Sequence, residues 1–157
     1  MSIVIRVYKQ KRILEAWDGD RLLLSCRVSL GFGAGEGHKR REGDGRTPEG
    51  NYFVCTKNAA SRFHRALGVS YPNARDAREA LARGEIDANT CRRIAFAAEN
   101  GLRPDWQTPL GGFIMLHGEH PDGRAGDWTA GCVALKNADM EALFALARIG
   151  DAVEISP

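Results

Sequence analysis

Asp127-Trp128-Thr129-Ala130-Gly131-Cys132-Val133-Ala134-Leu135 is the stretch on which the reading of this chain turns. It sets one cysteine after a glycine and ahead of an apolar run. Upstream, a second apolar run, Phe113-Ile114-Met115-Leu116, ends in His117-Gly118. Short apolar runs bounded by glycine are consistent with buried strands. Each reactive residue then stands at a strand edge. The thiolate is the reactive form of cysteine, and a neighbouring imidazole favours it. Cys132 is therefore a candidate nucleophile and His117 its candidate base. Gly131 has no Cβ, so an incoming carbonyl can approach the backbone there. The N–H groups of Gly131 and Cys132 are candidate donors to a developing oxyanion. The plainer alternative stays open: cysteine is also a common small core residue.

Around this pair the chain reads as one β-rich domain over residues 1–157. That length can bury a real core. With 43% hydrophobic and 27% charged residues it has the composition of a globular protein, and a net charge of +2 is too small to argue for nucleic acid. No run is long and apolar enough for a membrane span. The opening, Met1-Ser2 and then Ile3-Val4-Ile5-Arg6-Val7, reads as a strand and not as a leader. That leaves open both a form whose leader is removed and a protein of the cytoplasm. The four cysteines, Cys26, Cys55, Cys91 and Cys132, form no Cys-x-x-Cys pair and are expected as free thiols.

Strands are expected over residues 3–8, 12–16 and 21–30, with turns at Lys9-Gln10-Lys11 and Asp18-Gly19-Asp20. Residues 31–50 hold seven of the chain's 18 glycines. No phosphate-binding glycine pattern fits them, so they read as a long surface loop leading to a strand at 51–56. Helical spacing over 74–98 gives two helices, broken near Gly84, the second capped by Asp87. They read as a solvated cover or as one wall of a cleft. Strands over 111–116 and 129–135 deliver His117 and Cys132. Asn137 is the expected N-cap of a helix running to Arg148, and 151–155 closes the sheet. His117, His120 and Cys132 are three residues of zinc-ligand type, but no fourth is evident.

Three separated segments carry a resemblance. His117-Gly118 followed by Thr129-Ala130-Gly131-Cys132-Val133 resembles the His-Gly…Ser/Thr-x-Gly-Cys signature of the YkuD-type L,D-transpeptidases. Gly43-Asp44-Gly45-Arg46-Thr47-Pro48-Glu49-Gly50-Asn51-Tyr52 is similar to a second motif of that family. Ser61-Arg62-Phe63-His64 and Ser70-Tyr71-Pro72-Asn73 are similar to its YafK-like branch. The likeness runs from about Val28 to Pro157. Two positions depart from the common pattern: Ala130, where many members have His, and Ala134, where many have Arg.

The resemblance implies a β-sandwich (mainly β, α+β) with helices on one side. It also implies acyl transfer on peptidoglycan stem peptides through a thioacyl-enzyme at Cys132, a cell-wall and cell-shape role, and acylation by carbapenems. The location implied is periplasmic or otherwise extracytoplasmic. Neither metal nor cofactor is required. A cell-wall peptide hydrolase on the same site and a non-catalytic peptidoglycan-binding module are the alternatives. Gly118 is implied to orient His117 through its carbonyl. Arg46, Arg124, Trp128 and Thr129 are candidate substrate contacts: the arginines for an acidic stem peptide, Trp128 as a cleft wall or a packing residue, and Thr129 as a hydrogen-bonding group of the site or a former of the turn. His117 and Cys132 are expected within about 3–4 Å of each other. An imidazolium neighbour would hold Cys132 below the roughly 8.5 of a free thiol.

Overall fold

Alternation of apolar and polar residues sets the first part of the sheet. In the computed structural model, which describes all 157 residues, the elements in chain order are β1 (Val4–Tyr8), β2 (Ile13–Asp18), β3 (Arg21–Arg27), β4 (Gly50–Ser61), β5 (His64–Val69), α1 (Ala74–Ala82), α2 (Ala88–Glu99), β6 (Met115–His117), β7 (Val133–Ala134), α3 (Asn137–Leu146) and β8 (Ala152–Ser156). A short 3-10 turn at Ala34–Glu36 interrupts the glycine-rich loop. Ile5, Val7, Leu14 and Ala16 face inward with no exposed surface, as a period-2 pattern requires.

The eight strands form one sheet in the order β3-β2-β1-β8-β4-β5-β6-β7. β1 pairs antiparallel with β2 and parallel with β8. The long β4 pairs with β8 through Gly50–Phe53 and with β5 from Val54 onward. The segment after β3 crosses to the opposite edge. Ser29 and Ala134 exchange N–H···O bonds of 2.9 and 2.8 Å, and Gly31 bridges to Thr129. The sheet therefore curls until its two ends meet, around a continuous core of 29 buried residues. Curling removes the exposed edge that β7 would otherwise present.

The β-rich α+β expectation holds, with three helices on the sheet. α1 begins in a capping box between Asn73 and Asp76, and Asp87 caps α2 through the Thr90 N–H at 2.7 Å. Gly84 breaks the pair at φ 74°. α1 packs on α2, while α3 lies against β5 and β3.

Some boundaries differ from expectation. α3 starts from Lys136 as N-cap and ends at Leu146. Asn137 does not cap it, because its Oδ1 accepts the Glu119 N–H while Glu119 Oε2 accepts the Asn137 N–H, both at 2.8 Å. The strands carrying His117 and Cys132 are short, with Phe113 at φ 56° and Gly131 at φ 140° just ahead of them. β5 was not expected at all. No helix is long and apolar enough to cross a membrane.

Candidate active site

The cysteine turn is built by close backbone contact. A Cβ on Gly131 would sit 2.8 Å from the Arg46 carbonyl, and one on Gly31 would sit 2.1 Å from the Gly45 carbonyl and 2.9 Å from Gly131 Cα. Three chain segments thus stack at van der Waals limit, and only glycine fits at the two crossing points. Thr47, in the glycine-rich motif, is buried, and its Oγ1 accepts the Gly31 N–H at 3.0 Å. The Thr47 carbonyl takes the buried Lys9 ammonium at 2.6 Å, and Lys9 also pairs with Glu49 at 3.0 Å. Burial lowers the Lys9 pKa despite that pairing. The segment Gly43–Tyr52 is thereby the buttress of the cysteine turn.

Thr129 was expected as a substrate contact. It is buried, its hydroxyl donates to the Cys132 carbonyl at 2.7 Å, and it accepts the Gly131 N–H at 3.1 Å. It is a brace inside the turn, buried away from solvent. The same bond uses up the Gly131 N–H that was expected at an oxyanion. The Cys132 N–H forms no hydrogen bond in the protein.

β6 and β7 bring the two reactive residues together. Their parallel register pairs Leu116 with Val133 and His117 with Ala134. One step back, Cys132 falls beside Met115, whose N–H donates to Sγ at 3.3 Å. Met115 and His117 lie on one face of β6 because side chains alternate, and the Cys132 sulfur and the His117 imidazole belong to neighbouring positions of the two adjoining strands. They are not hydrogen-bonded to each other. Cys132 Sγ–H points at the Phe113 carbonyl at 3.4 Å, and His117 Nδ1 bonds the Gly118 carbonyl at 2.7 Å. Since a carbonyl only accepts, Nδ1 carries the proton and Nε2 keeps its lone pair.

His117 is only 2% exposed. Phe63 stacks on it with ring centroids 4.5 Å apart, and Trp128 lies 5.6 Å away. His120 completes the cluster, edge-on to Trp128 at 5.1 Å. The arrangement gives His120 an aromatic role. No group of three or more His, Cys, Asp or Glu side chains is placed to hold a metal ion.

The expectation of a low thiol pKa is corrected. Burial pushes Cys132 up to about 11, outweighing the Met115 N–H and the more distant Lys39 charge, both of which lower it. Burial also lowers His117, against the Gly118 bond that raises it. Desolvation disfavours both ions. Both shifts favour a neutral thiol and a neutral imidazole over thiolate and imidazolium at rest. All four cysteines are free, and the Cys132 residue keeps partial exposure although its thiol is desolvated within the turn.

Arg46 gives its carbonyl to the turn, while its guanidinium reaches Glu36 at 3.6 Å and the His38 carbonyl at 3.4 Å, leaving a buried Nε without a partner. Arg124 and Trp128 line a cavity of about 690 Å³ under the 119–128 loop, to which neither Cys132 nor His117 contributes. Sequence reasoning gave no role to Phe63, although it quoted the segment containing it. The signal was an aromatic residue directly before the unrecognised strand that pairs with β6.

The family model of the YkuD L,D-transpeptidase catalytic domain matches residues 2–155. The chain belongs to that family. YafK of Escherichia coli (strain K12) is 31% identical over 80 residues, which cover 47% of this chain and 32% of YafK. The match thus spans about a third of that relative's length. The fold is that of the helical cell shape determining protein Pgp2 from Campylobacter jejuni, with a TM-score of 0.68 at 23% identity over 99% of this chain and 47% of Pgp2. The L,D-transpeptidase LdtMt1, solved in complex with imipenem, matches with a TM-score of 0.55 at 13% identity, over 99% of this chain and 59% of its own.

Proposed function

We propose that residues 1–157 form one catalytic unit that performs cysteine-dependent acyl transfer on peptidoglycan stem peptides. The observation that carries this reading is the β6–β7 register, which brings the Cys132 turn beside the strand that ends in a tautomer-fixed His117. The steps follow from that geometry. His117 Nε2 takes the thiol proton as Sγ attacks the peptide carbonyl carbon, forming the C–S bond. The Cys132 N–H, free of other partners, donates to the oxygen as charge develops on it. His117 then gives its proton to the leaving amine as the C–N bond breaks. An incoming amine resolves the thioester, with His117 taking its proton, and a new amide is left. Because the resting pair is neutral, the thiolate is made only when substrate is in place. Gly118 is the positioning group for His117, and Phe63 and Trp128 keep its environment dry.

Water in place of the amine would turn the same site into a cell-wall carboxypeptidase or endopeptidase. Product analysis with and without an acceptor amine separates the two. The work belongs outside the cytoplasmic membrane, where the wall is. Likeness to Pgp2 adds cell shape as the process it serves.

Mass spectrometry after incubation with imipenem tests the nucleophile. The expected result is a gain of one drug mass on the intact protein and none on Cys132→Ala, with both variants equally folded by circular dichroism. His117→Ala should slow the gain at least a hundredfold, within the range for loss of a general base. No adduct on the unaltered protein, or an adduct that survives Cys132→Ala, sinks the assignment and favours a binding module.

A further inference from the structure

The cavity of about 690 Å³ lies beside the cysteine turn but is not part of it. Its roof is the loop between His117 and Cys132, pinned at both ends. Glu119 is tied to Asn137 by the reciprocal pair of hydrogen bonds, and Asp127 is tied to Arg12 at 2.6 Å and to the Leu30 N–H at 3.0 Å. The cavity's two acidic side chains are thus spent on holding the loop. Three of its four cations are not. Arg27, Arg124 and Lys136 line the space, and none takes part in a salt bridge or a side-chain hydrogen bond. Lys136 stands at the N-terminus of α3, whose partial positive charge adds to the same field. Trp128 supplies one wall, and that indole also packs on His117.

Three uncommitted cations around a concave space outnumber Glu119, the one lining carboxylate without an ion-pair partner, and leave a net positive site selective for negative charge. The volume lies in the range of small-molecule pockets and is far larger than a lone ion needs. Two of the three cations are guanidinium forks, which match the paired oxygens of a carboxylate or a phosphoryl group. We propose that this cavity binds a small polyanion, its carboxylate or phosphoryl oxygens held by Arg27, Arg124 and Lys136 and its body laid against Trp128. The site is independent of the reaction assigned to Cys132.

Titration of the full chain with triglutamate and, separately, with pyrophosphate tests it. The readout is the Trp128 indole N–H resonance, assigned by its loss in Trp128→Phe. The expected result is saturable binding of at least one probe that shifts this resonance. It should weaken at least tenfold in Arg27→Gln combined with Lys136→Gln, weaken again as salt is raised, and remain unchanged in Cys132→Ser. Preference for triglutamate identifies an acidic peptide, and preference for pyrophosphate a phosphorylated compound. Neither probe shifting Trp128, or affinity unaltered by the double substitution, overturns the proposal. An acyl-enzyme that fails to form while Cys132→Ser still binds the probe would count against the catalytic reading alone.

Discussion

The meander strands β1–β3 and the strands β5–β7 belong to one sheet but are built by different rules. In the meander, registers run for five or six residue pairs, and inward side chains alternate regularly along β1 and most of β2. In the far part, β6 has three residues and β7 two, and the chain between regular elements is held by crossing backbones, a positive-φ phenylalanine and a buried threonine. The meander could accept many sequences of the same pattern. The far part accepts few, because its contacts are between backbones and cannot be repacked. The difference bears on the proposed chemistry: the residues that tolerate least variation in shape are those around Cys132 and His117.

The contrast predicts that damage to the meander lowers stability and leaves chemistry alone, whereas damage to the far part does the reverse. Leu14→Ala removes a fully buried side chain and should cost about 2–5 kcal/mol by denaturant unfolding. Well below its melting point, the variant should acylate with imipenem at an unchanged rate. A slowed rate there would break the comparison.

Thr129→Val keeps the shape but deletes the two hydrogen bonds inside the cysteine turn. It should cost about 1–3 kcal/mol, less than Leu14→Ala, yet slow acylation at least tenfold. A normal rate in this variant would show that the brace is not needed to aim the sulfur.

How much could be read beforehand follows the same division. Ile5, Val7, Leu14 and Ala16 announce their strands because alternation is a local property. The helix break at Gly84 and the Asp87 cap are equally local. Cys132 and His117 stand out in the sequence through the motif that holds them. Thr129, by contrast, has the side chain of a ligand-binding residue, and only the turn's geometry shows that its hydroxyl faces inward. The strand His64–Val69 carries no clean alternation, since four successive residues, Ala66 to Val69, are buried. The thiol's raised pKa came from burial, a three-dimensional quantity that neighbouring residues in sequence do not report.

Phe63→Ala removes the ring stacked on His117. Such contacts are worth about 0.5–1.5 kcal/mol beyond area, so the stability loss should be modest. The imidazole, less desolvated, should titrate closer to the ordinary 6.5. An NMR titration of His117 in both proteins reads this directly, and an unmoved pKa would mean that other groups keep the site dry.

The smallest effect is on stability against pH. His117 is lowered in the folded protein, so the unfolded chain takes the proton first and stability falls as pH drops below about 6.5. The Arg12 guanidinium holds Asp127 below the usual carboxylate range, which adds a further loss below about pH 4. Cys55 and Cys132 are raised to about 11 and Cys26 to about 12, from 9.0. Their unfolded forms ionise first, and stability falls again above about pH 9. Thermal melts should therefore peak between about pH 6.5 and 9. Cys132→Ala should flatten only the alkaline side.

The parallel pairing of β1 with β8 joins Val4 to Ala152 and Tyr8 to Ser156. A ribosome makes these two strands at opposite ends of its work on this domain. At about 5–20 residues per second, β1 waits roughly 7–30 seconds for the neighbour that completes it. Until then its inner edge is an open template for any other strand. The antiparallel turn into β2 covers one side at once, but the other side is filled last. Nascent chains of this domain are thus expected to depend on holding factors until the final strand emerges, and loss of β8 should prevent folding of the whole sheet instead of trimming its end.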